Sequence, residues 1–277
     1  MLPEMIEMLN YWIDERERIR LAKEGNAAKP WSHDPIFQQY KFCNVHREDD
    51  FVTRWFACNW RKQEHWTDTN FIPAIILGRT INWPPTLDKL GFPSVWNPAG
   101  FMSTMDQMMG RKEKVYTGAY MITAGPTGVK KNDWVLGNSL SYYRRPPVID
   151  PNSMQKSWEN IIHGGYPCVG PFIGGQVIAD LKFTKHLCDA EDWWDWAPLG
   201  PGSARGINRV YGRKVGQALS QEQGVKEMSA IRKQIRHAFP EEISLQDIQN
   251  CLCELDKYMR VKLGQGKPRS SYPGLPY

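Results

Sequence analysis

An all-α fold is what this sequence predicts, and three observations carry the prediction. Apolar residues recur at three- and four-residue spacing along most of the chain. Strand-type patterning is confined to two short stretches, Val115 to Thr123 and Trp134 to Tyr143. The punctuation is that of helices, with proline or Asx residues at segment starts and glycine at segment ends.

Taken in order, Pro3 to Lys23 sets Ile6, Leu9, Trp12, Ile13 and Ile19 on one stripe, with charges on the other face. Asp34-Pro35 opens a second helix through Ile36, Phe37 and Tyr40. Asp49 or Asp50 can cap a third, burying Val52, Trp55, Phe56 and Trp60. Asn97-Pro98 starts a Met-rich helix with Phe101, Met102, Met105, Met108 and Met109, a stripe of gap-filling core. Trp158, Ile161 and Ile162 sit at helical spacing before Gly164-Gly165, and Pro171 opens the next helix. Ser244-Leu245-Gln246-Asp247 is a capping-box-like start for a last helix to about Leu263. Loops are expected at Trp83 to Pro85, Gly125 to Asn132, Arg144 to Asn152 and Ala197 to Gly206. The tail Gly264 to Tyr277 is expected to be irregular. One helical domain over residues 1–277, folded as two lobes around a cleft, is the simplest organisation.

Composition narrows the function classes. Of 277 residues, 41% are hydrophobic and 23% charged, as in a globular protein with a sizeable core. The formal charge of +5 is unevenly spread: from Pro201 onward thirteen Lys and Arg face seven Asp and Glu. Such a basic third suits a polyanion, and equally a solvated helical surface. The six cysteines show no metal spacing, and Cys251-Leu252-Cys253 is too close for a zinc pair. Free thiols in a reducing cytosol are expected. No apolar run reaches transmembrane length, so no membrane partner is expected.

Five segments can carry chemistry. In Tyr166-Pro167-Cys168-Val169-Gly170 a tight turn joins two helices, so that backbone amides around Val169 and Gly170 form a site for a phosphate oxygen of a nucleic-acid backbone. The alternative is a Gly-rich turn between core helices. In Phe42 to Asp50, Asn44, Arg47 and Asp50 or Glu48 offer an amide, a guanidinium and a carboxylate, a set able to grip a base edge, a phosphate and an amine; a helix junction with a local Arg–Asp pair is the other account. Cys188 to Trp196 offers Asp189 and Asp192, or else an acidic cap packed by tryptophans. Leu199 to Arg209 places Gly200 and Gly202 in a turn before a helix whose Arg205 and Arg209 share a face, a second anion site. Cys253 to Arg260, with Lys257 and Tyr258, is a site edge or a solvated face.

The turn at 166–170, within a motif over 158–181, resembles the helix-hairpin-helix of base-excision DNA glycosylases, whose hairpin reads Leu-Pro-Gly-Val-Gly. Cys168 stands where that motif has its first glycine; a Cβ there makes positive φ costly, so a distorted hairpin is expected. Phe172 stands where bifunctional glycosylases carry a catalytic lysine, which argues against Schiff-base chemistry. Glycosylases place a catalytic aspartate about as far past the hairpin as Asp189, with Asp192 next.

In order, Tyr40 to Arg47 with Asp50, the hairpin through Asp180-Leu181, Asp189 to Trp193, Gly200 to Gly206, and Glu254 with Asp256-Lys257-Tyr258 resemble the helical domain of bacteriophage thymine-hypermodification enzymes. These are the amino acid:DNA transferases, also called glutamyl/putrescinyl-thymine pyrophosphorylases. A related domain accompanies 5-hydroxymethyluracil DNA kinases. The resemblance implies a DNA-glycosylase-like helical fold that replaces the (pyro)phosphate of phosphorylated 5-hydroxymethyluracil in double-stranded DNA with an amine, from an amino acid or polyamine. It implies a phage-encoded protein acting in the bacterial cytoplasm.

Gly125 to Lys131 does not fit a phosphate-binding Gly-x-x-x-x-Gly-Lys-Ser/Thr loop, so a transferase is expected rather than a kinase. Base flipping, leaving-group neutralisation by Arg47 and Arg205, and proton removal by Asp50, Asp189 or Asp192 form the expected mechanism. No cofactor is expected; a divalent metal on the phosphate is left open, with no ligand set for it. A true glycosylase and a non-catalytic DNA-binding module are the competing readings.

Overall fold

The computed structural model describes residues 1–119, 125–236, 243–268 and 271–272. Among these every regular element is helical: α1 Pro3–Glu24, α2 Pro35–Gln39, α3 Phe51–Cys58, α4 Phe71–Ile81, α5 Pro84–Leu90, α6 Pro98–Gly110, α7 Lys131–Arg144, α8 Met154–His163, α9 Pro171–Leu181, α10 Pro201–Val210, α11 Gln221–Arg232 and α12 Leu245–Lys262. Two compact units divide the chain. The first is Met1–Asp50 with Trp194–Tyr277; the second is Phe51–Trp193.

In the first unit α12 is the central element. Its buried residues include Ile248, Cys251, Leu252, Leu255, Tyr258 and Met259, spaced as one apolar face, and they meet Leu9, Trp12 and Ile13 of α1 and Ile207 and Val210 of α10 in one core. Ser244 starts α12: its amide and hydroxyl both reach the Asp247 carboxylate, at 3.0 and 2.6 Å. Asp34 caps α2 by accepting from the Ile36 amide at 2.7 Å. The described part of the tail forms no helix; Ser271 pairs with Tyr40 as an isolated bridge, and the Tyr272 amide donates to the Gln39 carbonyl at 2.9 Å.

The second unit is built on α4, all eleven residues of which are buried. A helix apolar all round has no amphipathic period, and periodicity does not predict it. Its Arg79 forms a bidentate pair with Asp180 of α9 at 2.5 and 2.6 Å, both side chains buried.

Two loop and strand expectations are corrected here. Trp134 to Tyr143 lies inside α7, whose buried Val135, Leu136, Ser139 and Tyr142 recur at helical spacing; the aromatic and β-branched content had suggested a strand. Trp83 to Pro85 is a helix start, because proline at the first helical position loses no hydrogen bond. Within the other strand expectation, Val115 to Ala119 form no regular element, and 120–124 lie outside the described residues. The expected loop at Ala197 to Gly206 ends at Gly200, where α10 begins.

Candidate active site

The segment Phe42 to Asp50 leaves α2 extended and closes in a single 3-10 turn, Arg47–Asp49. Its shape is set by side chains of α1 and α12. From α1, the Arg16 Nε donates to the Cys43 carbonyl at 2.9 Å and a terminal nitrogen donates to the Asn44 side-chain oxygen. From α12, Asn250 donates to the Asn44 carbonyl at 2.9 Å, Glu254 accepts from the Cys43 amide at 3.1 Å and Asp247 accepts from the Arg47 amide at 3.0 Å. Residues 247, 250 and 254 lie one helical turn apart on one face, so a single stripe of α12 reads the whole segment. Asn44 closes the loop on itself: its amide nitrogen donates to the Asp49 carbonyl at 2.6 Å, and its backbone N–H donates to Asp50 at 2.8 Å.

Asp50 therefore sits at a built position, keeping a solvent-facing edge while protein surrounds it. Desolvation pushes its carboxyl up to about 6, against the lowering effects of the Asn44 amide, Arg47 and Arg16. Such a group is an ionised base at neutral pH that exchanges protons readily. Lys257 donates to both oxygens of Glu254, at 2.6 and 2.8 Å. Burial alone would lower Lys257; the Glu254 carboxylate outweighs it and the net shift is upward. Burial, and then Glu254, push the Cys253 thiol up to about 11 and the Cys43 thiol well above its ordinary value, so neither is a thiolate at neutral pH.

Helix α10 lies close against α12. A Cβ on Gly206 would collide with the Leu252 carbonyl, and one on Gly202 with the Cys253 sulfur. That approach brings Arg205 and Arg209 to the buried carboxylate of Asp256, at 2.8 and 2.9 Å, with Arg260 at 3.4 Å. Three guanidiniums share one carboxylate. Arg209 is buried and also donates to Gln265 at 2.8 Å. Arg205 uses its Nε on Asp256 and keeps 38% of its side chain exposed, which leaves a fork of donors for an anion.

The sequence-predicted residues thus divide. Asn44, Arg47, Asp50, Arg205, Arg209, Lys257, Tyr258, Gly200 and Gly202 all belong to the first unit, and Val169, Gly170, Asp189 and Asp192 to the second. Several have structural tasks. Tyr258 donates to Asp34 at 2.7 Å within an aromatic cluster of Tyr11, Phe37 and Phe42. Gly202 lies where α10 approaches α12, and the Gly200 amide donates to the Ser203 hydroxyl at 3.0 Å as a helix cap. The oxygens of Asp192 accept from the amides of Met154 and Gln155, at 2.7 and 2.9 Å, and from Ser153, at 3.1 Å. With these bonds Asp192 caps the start of α8. Asp189 is exposed, 3.6 Å from the Cys188 sulfur.

The turn between α8 and α9 has the expected helix–turn–helix form, with Gly170 as the residue before Pro171. Cys168 takes a φ of +66°, the left-handed region that glycine would occupy freely. Arg16 was not foreseen as a site residue; its pairing with partners distant in sequence leaves no local signal. Among the described residues no group of three or more His, Cys, Asp or Glu could hold a metal, and no helix is long and apolar enough to cross a membrane.

Fold and site define an all-helical protein with a surplus of guanidinium groups around recessed carboxylates. Residues 3–267 match the family described as the helical domain of 5-hmdU DNA kinase, and the chain belongs to that family. It is 26% identical over 236 residues to the 5-hmdU DNA kinase of Bacillus phage SP10, an alignment covering 75% of this chain and 35% of that protein. The chain thus spans about a third of the length of the curated relative it matches. No solved structure matches it.

Proposed function

We propose that this chain acts in thymine hypermodification of DNA, replacing the phosphate or pyrophosphate of a phosphorylated 5-hydroxymethyluracil base with an amine. The observation that carries this reading is the convergence, in the first unit, of Asp50, Arg16, Arg47, Glu254, Lys257 and Arg205 from four separate stretches of chain. Asp50 takes a proton from the ammonium form of the incoming amine, leaving a neutral nucleophile. The bond between the exocyclic methylene carbon and the phosphate oxygen breaks, and its electron pair leaves with the phosphate. Arg205, oriented by Asp256, and Arg47 neutralise that departing charge. The amine nitrogen then bonds to the methylene carbon. Lys257 is held by Glu254 and serves to fix that carboxylate against the Cys43 amide. The helix–turn–helix at 154–181, used as glycosylases use theirs, would hold a DNA phosphate at Val169 and Gly170.

Family membership supports a DNA substrate related to 5-hmdU, which the relative's name carries; which amine is transferred is left to the test. DNA containing 5-hydroxymethyluracil, in plain and pre-phosphorylated or pyrophosphorylated forms, is incubated with the protein and a pool of glycine, serine, glutamate and putrescine. The nucleosides are then weighed by mass spectrometry. An amine adduct only from the phosphorylated DNA, with the sugar–base bond intact, is the expected result. Abasic sites would make the protein a glycosylase; amination of the unphosphorylated base without added nucleotide would refute the pathway.

A further inference from the structure

Apart from the active-site residues, the first unit gathers three lysines around two aromatic rings. The Lys23, Lys29 and Lys41 ammonium groups lie 4.9, 5.3 and 5.3 Å from the centroid of the Tyr272 ring. Lys23 and Lys29 each also lie 4.8 Å from the Trp31 ring. Lys23 donates to the Tyr272 hydroxyl at 2.5 Å, and the Trp31 and Tyr272 rings meet edge to face at 5.9 Å. Lys29 and Lys41 are exposed, and Trp31, Tyr272 and Lys23 are half-buried. Among the described residues none of the three ammoniums makes an ion pair.

Because each charge lies within 5.3 Å of one centroid, the patch is at most about 11 Å across, close to the Debye length of about 10 Å at 0.1 M salt. The three fields therefore add in solution. Gathering them is unfavourable: burial first, then Arg16, Lys29 and Lys41, push Lys23 down to about 8. The ring faces offset part of that repulsion. What relieves the rest is an anion of several charges.

We propose that Lys23, Lys29 and Lys41, gathered on Trp31 and Tyr272, form a docking surface for the sugar–phosphate backbone of DNA. Its position argues for a strand over a small anion. Arg16 and Lys23 are seven residues apart on α1, two turns on one face, so the patch lies about 10 Å along the helix from the guanidinium that shapes the Asp50 segment. That is about three nucleotide steps of one strand. Lys41 is three residues from Asn44 in the same extended segment. The surface would hold the backbone beside the base being modified, and the inference rests on the reading above that the substrate is DNA.

The test is the salt dependence of binding to a fluorescent duplex of unmodified DNA, by anisotropy between about 50 and 200 mM salt. Each lost phosphate contact lowers the slope of log affinity against log salt by about 0.9. Lys29→Ala/Lys41→Ala, both at exposed positions, should lose up to about 2 of slope and roughly 50-fold in affinity at 0.1 M salt; adding Lys23→Ala should deepen both losses. Circular dichroism confirms that each variant is folded. A double variant with the wild-type slope overturns the inference, even if the aminated product above is formed. A reduced slope with no product keeps the surface and removes the reaction. A wild-type chain that binds no duplex at 50 mM salt overturns both. If inorganic pyrophosphate at constant ionic strength displaces DNA from the wild type but not from the double variant, the patch serves a free phosphate and the strand assignment fails.

Discussion

Replacing Asp50 with asparagine separates what this residue costs the fold from what it gives the reaction. The substitution keeps the size and keeps an oxygen for the Asn44 amide, which now donates to Asp50 at 2.8 Å. Burial holds the folded carboxyl near 6, against an ordinary value of 3.8. An acid whose folded value is raised binds its proton more tightly when folded. Its contribution to stability is complete below about pH 4 and is lost as the pH rises through about 6. At pH 7 ionised Asp50 therefore destabilises the fold, by at most about 3 kcal/mol at about 1.4 kcal/mol per unit, and by less where its solvent-facing edge screens it. Asp50→Asn should be more stable at pH 7 by about 1–3 kcal/mol, a rise of about 2–4 °C in Tm per kcal/mol, and equal to wild type near pH 4. Scanning calorimetry at the two pH values measures it. Turnover should fall by about 100-fold or more, while the wild type loses activity with an acid limb near pH 6. A variant less stable than wild type at pH 7 would refute the burial argument; one with full turnover would remove Asp50 from catalysis.

Four further outcomes follow from the packing. Gly206→Ala forces a Cβ against the Leu252 carbonyl and should destabilise by about 1–3 kcal/mol, whereas Gly202→Ala meets a movable thiol and should cost less; equal costs in chemical denaturation would contradict the close approach of α10 and α12. Asp256→Asn leaves Arg205, Arg209 and Arg260 without their shared carboxylate and should cost about 3–5 kcal/mol in the same assay. Asp192→Ala should cost about 0.5–2 kcal/mol as a lost cap with turnover per folded molecule unchanged; a 100-fold fall in turnover at full stability would place it in catalysis. Cys168→Gly should stabilise by up to about 1 kcal/mol by releasing the left-handed strain, less what the 3.3 Å contact from Asn138 contributes; a loss of stability would mean that the contact outweighs the strain.

How much was legible in the sequence depended on whether the information was local. The stripe of α1, the extent of α12 and the caps at Asp34, Asn97 and Ser244 lie within single segments and were read correctly. Helix α4 was invisible because it is buried on every side, and α7 was misread because aromatic and β-branched residues fit a strand as well as a buried helix. The same division holds in the site. The density of polar residues from Asn44 to Asp50 marked that segment. Arg16 did not stand out among Glu15, Glu17, Arg18 and Arg20, because its partners lie 26 to 28 residues away. Asp256 fitted a solvated face equally well, yet it is fully buried beneath three arginines.

The charge arrangement gives the proposed reaction its direction. A surface rich in arginine and lysine attracts any polyanion, but most such cations are mobile and strongly hydrated. Here Asp256 fixes Arg205 by a single nitrogen, and burial of that carboxylate makes the pairing hard to break. The remaining donors of the fork are thus oriented before any ligand arrives, which lowers the reorganisation a departing phosphate must impose. Lys257, the other cation expected to bind phosphate, is bound at both oxygens of Glu254 and is not free to follow a leaving group. Arg205 is therefore the group whose removal should slow departure of the phosphate most. Arg205→Lys should fail to restore it, because an ammonium reaching Asp256 has no second donor plane to offer. Single-turnover release of phosphate from pre-phosphorylated 5-hydroxymethyluracil DNA measures this step, and full rescue by lysine would mean that charge alone, without the fork, suffices.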